Sequence, residues 1–236
     1  MKHIVGAACA ATMLGFATAA SAQDSTAPSN TGVAASQCEL HVWPTDNYLG
    51  MNTGLLSGFG LVGAVADVEA HKGRVQTVKD LMRDYLGPEI QMEELNRIGL
   101  LASLNLPAET RIVVEEPTPF NEDLKNNPEL KAKTKAMNDT LKAGKRLSSS
   151  RSTCYSELIV TMLFYQKAMM YGSNLFAGIL FRNFGDKEVT TASAGAVKNP
   201  LEEFPPKTAD KVDAAKAELR DAFAKDYREW LAKKKK

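Results

Sequence analysis

Apolar positions along this chain change their spacing several times, and each change predicts an element. Glu39, Leu40, His41, Val42 and Trp43 partly alternate and stop at Pro44, which has no N–H to give a ladder, so a first strand ends there. From Gly73 the spacing becomes helical: Val75, Val78, Met82 and Tyr85 recur at three and four, and Gly87 with Pro88 ends the run. Glu89 to Leu104 predicts a second helix with a Leu95, Ile98 and Leu101 stripe, and Arg111 to Val114 a second, β-branched strand. Residues 117–152 form a polar surface excursion, in which Asn127 caps a helix that starts at Pro128. Tyr155 to Met170 alternates with Leu158, Val160, Met162 and Phe164 on one face and Glu157, Thr161, Tyr165 and Lys167 on the other. After a Gly172, Ser173, Asn174 turn, Leu175, Ala177, Ile179 and Phe181 return as the second arm of a long hairpin. Residues 185–207, with Pro200, Pro205 and Pro206, read as an extended link, and 208–232 as a closing helix with Val212, Ala215, Leu219, Phe223 and Trp230 on its apolar face. This order predicts one α+β domain over 38–232, in which a small antiparallel or mixed sheet carries helices on one face.

Ahead of the domain, Met1, Lys2 and His3 precede an apolar run that closes on Ala20, Ser21 and Ala22, the pattern of a secretory signal peptide over 1–22. Residues 23–37 are Ser, Thr, Ala, Pro and Asn without apolar period, and read as a flexible leader. Between the first strand and the first helix lies a glycine-rich stretch over 50–66. It supports three readings: a buried Gly and Ala rich helix start, a membrane-surface segment, or a G-x-G-x-x-G turn at Gly58, Gly60 and Gly63 that lacks the strand such a turn needs.

Removing Lys2 from the 29 basic residues leaves them equal to the 28 acidic ones, so no overall field draws nucleic acid, and none is expected as a partner. The tail Lys233 to Lys236 permits a weak membrane-surface contact. Export would place the chain in an oxidising compartment, where Cys38 and Cys154 are expected to form a disulfide. The rival is a metal site that adds His41 to the two cysteines, but the spacing lacks the paired knuckles of a zinc site. A hydrolytic centre needs an oriented base, for which His41 and His71 are the candidates downstream of residue 22; neither sits in a G-x-S-x-G, H-E-x-x-H or comparable setting. No cofactor is expected.

The stretch GLVGAVADVEAHKGR from Gly60, followed by CYSELIVTMLFYQKAMMYGSNLFAGILFRNFG from Cys154, resembles exported proteobacterial proteins of unknown role. In element order it is similar to envelope proteins built like the curli-secretion lipoprotein and the activators of penicillin-binding proteins. That group carries an acylated N-terminal cysteine. Cys9 has too short an apolar run before it to serve as one. The resemblance implies a periplasmic, non-enzymatic module for envelope assembly or protein interaction, with an envelope protein as partner and no catalytic residues. The alternatives are an exported hydrolase-like enzyme using His41 or His71, and a membrane-surface protein held by the glycine-rich segment. The expected contact residues are Met169, Met170 and Tyr171 at the hairpin tip and Phe59 and Leu61 in the glycine-rich stretch.

Overall fold

The structure, a computed structural model, describes residues 38–53, 78–119, 121, 123–168, 172–184 and 189–234. In chain order the elements are β1 (Glu39–Trp43), β2 (Tyr48–Thr53), α1 (Val78–Tyr85), α2 (Pro88–Arg97), α3 (Leu100–Ser103), β3 (Arg111–Val114), α4 (Pro128–Lys142), β4 (Tyr155–Ala168), β5 (Gly172–Phe184), β6 (Val189–Leu201) and α5 (Val212–Lys234). The fold is α+β around a six-stranded mixed sheet ordered β3-β1-β4-β5-β6, with β2 also on β4. β1 runs parallel to β3 and β4, and β2 parallel to β4, whereas β4, β5 and β6 form an antiparallel meander.

β1 and β2 are one broken strand along the same edge of β4, the first opposite Tyr155–Ile159 and the second opposite Leu163–Ala168. The break falls at Pro44, which has no N–H to give and whose carbonyl is turned to the β3 side, where it accepts the Thr118 N–H at 2.8 Å. Its loose polar groups are taken up locally. Asn47 Nδ2 donates to Thr161 O at 3.1 Å, the Leu163 N–H to Asn47 O at 3.0 Å, and Thr118 Oγ1 lies 3.0 Å from Val160 O. From α2 the fully buried Gln91 closes the knot: Oε1 accepts the Thr45 N–H at 2.9 Å, and Nε2 donates to Thr45 O at 2.8 Å and Leu86 O at 3.0 Å.

Opposite this break, β4 carries a bulge. Its pairing with β5 passes from Val160↔Ile179 to Met162↔Gly178, leaving Thr161 as an extra residue. One extra residue flips every later side chain to the other face. Leu158 and Val160 therefore share the helix-side core with Leu163 and Tyr165, while Met162 and Phe164 turn away. The even alternation expected through Phe164, with Tyr165 on the polar face, is corrected at this point. Gly178 makes the bulge possible, since a Cβ there would stand 2.4 Å from Thr161 Oγ1 and 3.1 Å from Met162 Cγ.

Three other expectations change. The second helix is divided at Gly99, whose φ of 81° is a left-handed conformation that ends α2 and begins α3. Of the glycine-rich stretch over 50–66, for which a buried helix start is one of three readings, residues 50–53 belong to strand β2; residues 54–77, including the rest of that stretch, lie outside the described residues. The expected link over 185–207 contains β6, a full strand of 13 residues. It lacked an apolar stripe because α5 supplies the bulk: Trp230 Cδ1 lies 3.4 Å from where a Gly195 Cβ would be, and Val197, Asn199 and Leu201 are the buried positions. α4 has no buried residue, as expected of a surface helix, and its N-cap Asn127 accepts the Leu130 N–H at 3.0 Å.

Among the described residues the core lies between the sheet and α1, α2 and α5, where Leu40, Val42, Leu163, Ile179 and Phe181 meet Met82, Leu86, Leu95, Leu219, Phe223 and Tyr227. α5 is tied to α2 by Arg220 Nε on the buried Glu94 carboxylate at 2.6 Å. It is tied to the turn after β6 by Glu218, which accepts the N–H groups of Glu202, Glu203 and Phe204 at 2.6, 2.9 and 2.8 Å. Inside the α5–β6 contact sits Asp226, fully buried, accepting from Asn199 Nδ2 at 2.8 Å. Burial pushes its carboxyl up to about 8, against the smaller opposing effect of the Asn199 bond.

Two predictions follow from these buried polar groups. Gln91→Leu strands the N–H and carbonyl of Thr45 and leaves the Leu86 carbonyl with the Tyr48 hydroxyl alone, so the urea midpoint should fall by the equivalent of about 2 to 4 kcal/mol. Because the folded-state value of Asp226 lies above its ordinary 3.8, its contribution is fully present in acid and drains away as pH rises toward about 8. Asp226→Asn should therefore flatten the decline in stability over that window, measured as urea midpoints across a pH series.

Candidate functional site

The sheet face opposite the helices is polar at one end, because β1, β4 and β5 alternate. Glu39, His41 and Trp43 of β1, Tyr155 and Glu157 of β4, and Arg182 and Phe184 of β5 occupy positions opposite to the core residues between them. A strap of chain, residues 143–153, lies across them on the way from α4 to β4. The disulfide Cys38–Cys154 joins the starts of β1 and β4 with Cα atoms 4.5 Å apart, bringing together the two cysteines expected to pair. It consumes both thiols of the rival metal set.

Glu157 organises the strap. It is fully buried and stands directly opposite Arg182 in the ladder. Arg182 Nε donates to Oε2 at 2.8 Å and Nη2 contacts the same oxygen, while Oε1 accepts the Tyr155 hydroxyl at 2.6 Å and the Leu147 N–H at 2.7 Å. Arg182 Nη2 also donates to Lys145 O at 2.9 Å, so the ion pair grips the strap at two points. Arg146 lies 4.6 Å over the Tyr155 ring and donates to Ser152 O at 2.7 Å. Burial, reinforced by Glu157, pushes the Tyr155 hydroxyl well above the usual phenol range, so it stays a donor.

Beside this brace an open cleft of about 800 Å³ is lined by Glu39, His41, Arg111, Glu115 and the strap residues Ser148 to Ser152. The imidazole of His41, 5% exposed, lies between two carboxylates: Nδ1 is 2.5 Å from Glu115 Oε1 and Nε2 is 3.0 Å from Glu39 Oε2. Its ring is 4.8 Å from that of Tyr155. Ser150 Oγ donates to Glu39 Oε2, and Arg111 Nη2 to Glu39 Oε1. The Ser150 bond first, then Arg111 and His41, hold the Glu39 carboxyl down at about 2.

This geometry bears on chemistry. A serine nucleophile needs a base that takes its proton, yet Ser150 donates to a carboxylate held near 2, which is too weak a base to activate it. Both ring nitrogens of His41 are occupied by carboxylates. What the cluster does is join β1, β3 and the strap through one charged node. Among the described residues no group of three or more His, Cys, Asp or Glu side chains is placed to hold a metal ion, and no helix is long and apolar enough to cross a membrane.

Of the residues singled out in the sequence, His41, Cys38 and Cys154 meet at this end of the sheet. His71, Phe59, Leu61, Met169, Met170 and Tyr171 lie outside the described residues. Sequence reasoning missed Glu39, Glu115, Arg111, Ser150 and the Glu157–Arg182 pair. Only the last left a trace: opposite charges, one in each arm of the expected hairpin, which the register sets directly opposite each other.

Since the folded-state value of Glu39 lies below its ordinary 4.5, its contribution is complete above that pH and disappears as pH falls toward about 2. Glu39→Gln should lower stability at neutral pH and flatten the acid limb between those values, followed by tyrosine and tryptophan fluorescence in urea. The chain matches no protein-family model, and no curated protein is significantly similar to it.

Proposed function

We propose that this chain is an exported, disulfide-braced module of the cell envelope that acts by binding another protein rather than by catalysis. The observation that carries the reading is the Cys38–Cys154 bridge between β1 and β4, a cross-link that persists in an oxidising compartment. The signal-like residues 1–22 agree with it. The cleft supports binding over chemistry, because its hydroxyl, imidazole and carboxylates are spent on one another. A contact surface is available on the strap side of the hairpin, where the bulge has turned Phe164 to meet Phe176, ring centroids 5.4 Å apart and both side chains half-buried.

The full chain, expressed with a C-terminal tag in a Gram-negative host, tests this. It should fractionate with the periplasm, begin after Ala22, and show no reactive thiol in denaturant until reduced. Crosslinking in the intact envelope should yield one defined adduct, which Phe176→Glu weakens without lowering the melting temperature. Cytosolic material beginning at Met1 with reactive thiols would overturn the proposal, as would an adduct pattern indifferent to that substitution.

A further inference from the structure

The two edges of the sheet are treated very differently. β3 is four residues long and starts on a charged arginine, a blunt edge. β6 is 13 residues long and is the outermost strand at the other side; its ends carry a bulge at Thr190 and, beyond Val197, Lys198 and Pro200, but from Thr191 to Val197 it runs without charge, proline or bulge. Natural edge strands of this length are normally guarded by lysines, prolines or bulges, because unpaired N–H and C=O groups invite another strand.

Which groups point outward follows from the ladder. The Leu163 N–H is spent on Asn47 O, on the β2 side of β4, so Leu163↔Ala177 is not a hydrogen-bonded pair. Ala177 must then direct its N–H and C=O toward β6, where it pairs with Val197. Counting along β6, the odd residues bond β5 and the even ones, Ala192, Ala194, Ala196 and Lys198, face the free edge. Pro200 agrees independently: it has no N–H, and its place opposite Asn174 falls in the outward set. Ala192, Ala194 and Ala196 are exposed, and among the described residues their backbone groups have no partner beyond the strand.

We infer that the β6 edge pairs antiparallel with the β6 edge of a second copy of this chain, extending the sheet through a two-fold axis at Ala194. The strand is complementary to itself in that register. Ala192 falls opposite Ala196 of the second copy, and Lys198 falls beside the bulge at Thr190 rather than opposite another lysine. Pro200 lies beyond the ladder. Moving the axis to Gly195 would set Pro200 opposite Thr190, where an N–H is missing. Three alanines discriminate nothing by side-chain charge, so the partner matched best is a strand equally small and uncharged, which this chain itself supplies. An edge of this length covers less than the roughly 800 Å² per partner of a standard interface, so the dimer is weak and concentration-dependent. The inference concerns purified protein and stands apart from the proposed envelope role.

Variants that each add one cysteine to the chain, with Cys9 replaced by serine and the Cys38–Cys154 bridge intact, test it. Across the axis Ala194→Cys would face its own copy at a Cα separation of about 5.5 Å, within disulfide range. Ala192→Cys would lie about 13 Å from its copy, four residues along the strand. Mild oxidation at high micromolar concentration should crosslink the first several-fold faster than the second, while a mixture of Ala192→Cys and Ala196→Cys chains crosslinks as a heterodimer. In sedimentation, Ala194→Pro, which removes only an outward N–H, should weaken self-association roughly tenfold through the loss of two hydrogen bonds. Ala194→Lys, with its side chain on an exposed face, serves in its place if the proline variant shows altered circular dichroism. A wild-type chain that stays monomeric throughout, equal crosslinking at 192 and 194, or self-association unchanged by both substitutions would overturn the inference.

Discussion

Glu157 is a carboxylate with no access to water, and the polar end of the sheet is arranged around the need to satisfy it. An isolated ionised carboxylate in that position would be intolerable, and a buried pair survives only when further hydrogen bonds fill the remaining lone pairs. Here Arg182 supplies the counter-charge from the neighbouring strand, and Tyr155 and the Leu147 N–H fill the other oxygen. Two of these groups bring constraints with them. Leu147 belongs to the strap, so satisfying Glu157 fixes the strap over the sheet. Arg182 reaches Lys145 O, so the strap is fixed twice. Further along, the same strap comes close enough to Glu39 for the Ser150 hydroxyl to donate to it, and its residues Ser148 to Ser152 line the cleft beside Glu39 and His41.

The other end of the same strand shows a different constraint. β1 ends at Pro44, and β4 carries an extra residue at Thr161, accommodated by the absence of a side chain at Gly178. The bulge resets which residues of β4 face the helices, placing Tyr165 in the core, where its ring meets Phe204 edge-on with centroids 5.7 Å apart. A polar knot centred on Gln91 then replaces the ladder bonds that the break gave up. Backbone irregularity and buried polar side chains are thus coupled, since each loose N–H or C=O must find a partner.

Much of this was legible from the pattern of residues. The hairpin arms, β3, the end of α1 at Gly87 and Pro88, and the cap at Asn127 announce themselves because periodicity and capping act within a few residues. The bulge was not legible, because a single inserted residue leaves the composition of β4 unchanged and shows only once β5 fixes the register. Nor was β6, whose small side chains look like a linker until Trp230 and Phe223 of α5 are seen to supply the missing volume. The cleft was the least readable part. Glu39, His41, Arg111, Glu115 and Ser150 come from three separate stretches, and nothing in their local spacing says that they converge. His41 drew notice as a possible base; what it turns out to have is two carboxylate neighbours and no freedom.

The Cys38–Cys154 bridge spans 116 residues of sequence yet joins strands that are immediate neighbours. β4, β5 and β6 follow one another in the chain and pair antiparallel, whereas β1 is made long before the strand beside which it belongs. During synthesis Cys38 has no partner until Cys154 is made, at a sequence separation of 116, and closing the long loop between them is the entropic cost of that pairing. The first strand of the described chain is thus fastened at its start to a strand far downstream, and the bridge holds the two ends of that long loop together in the unfolded chain as well.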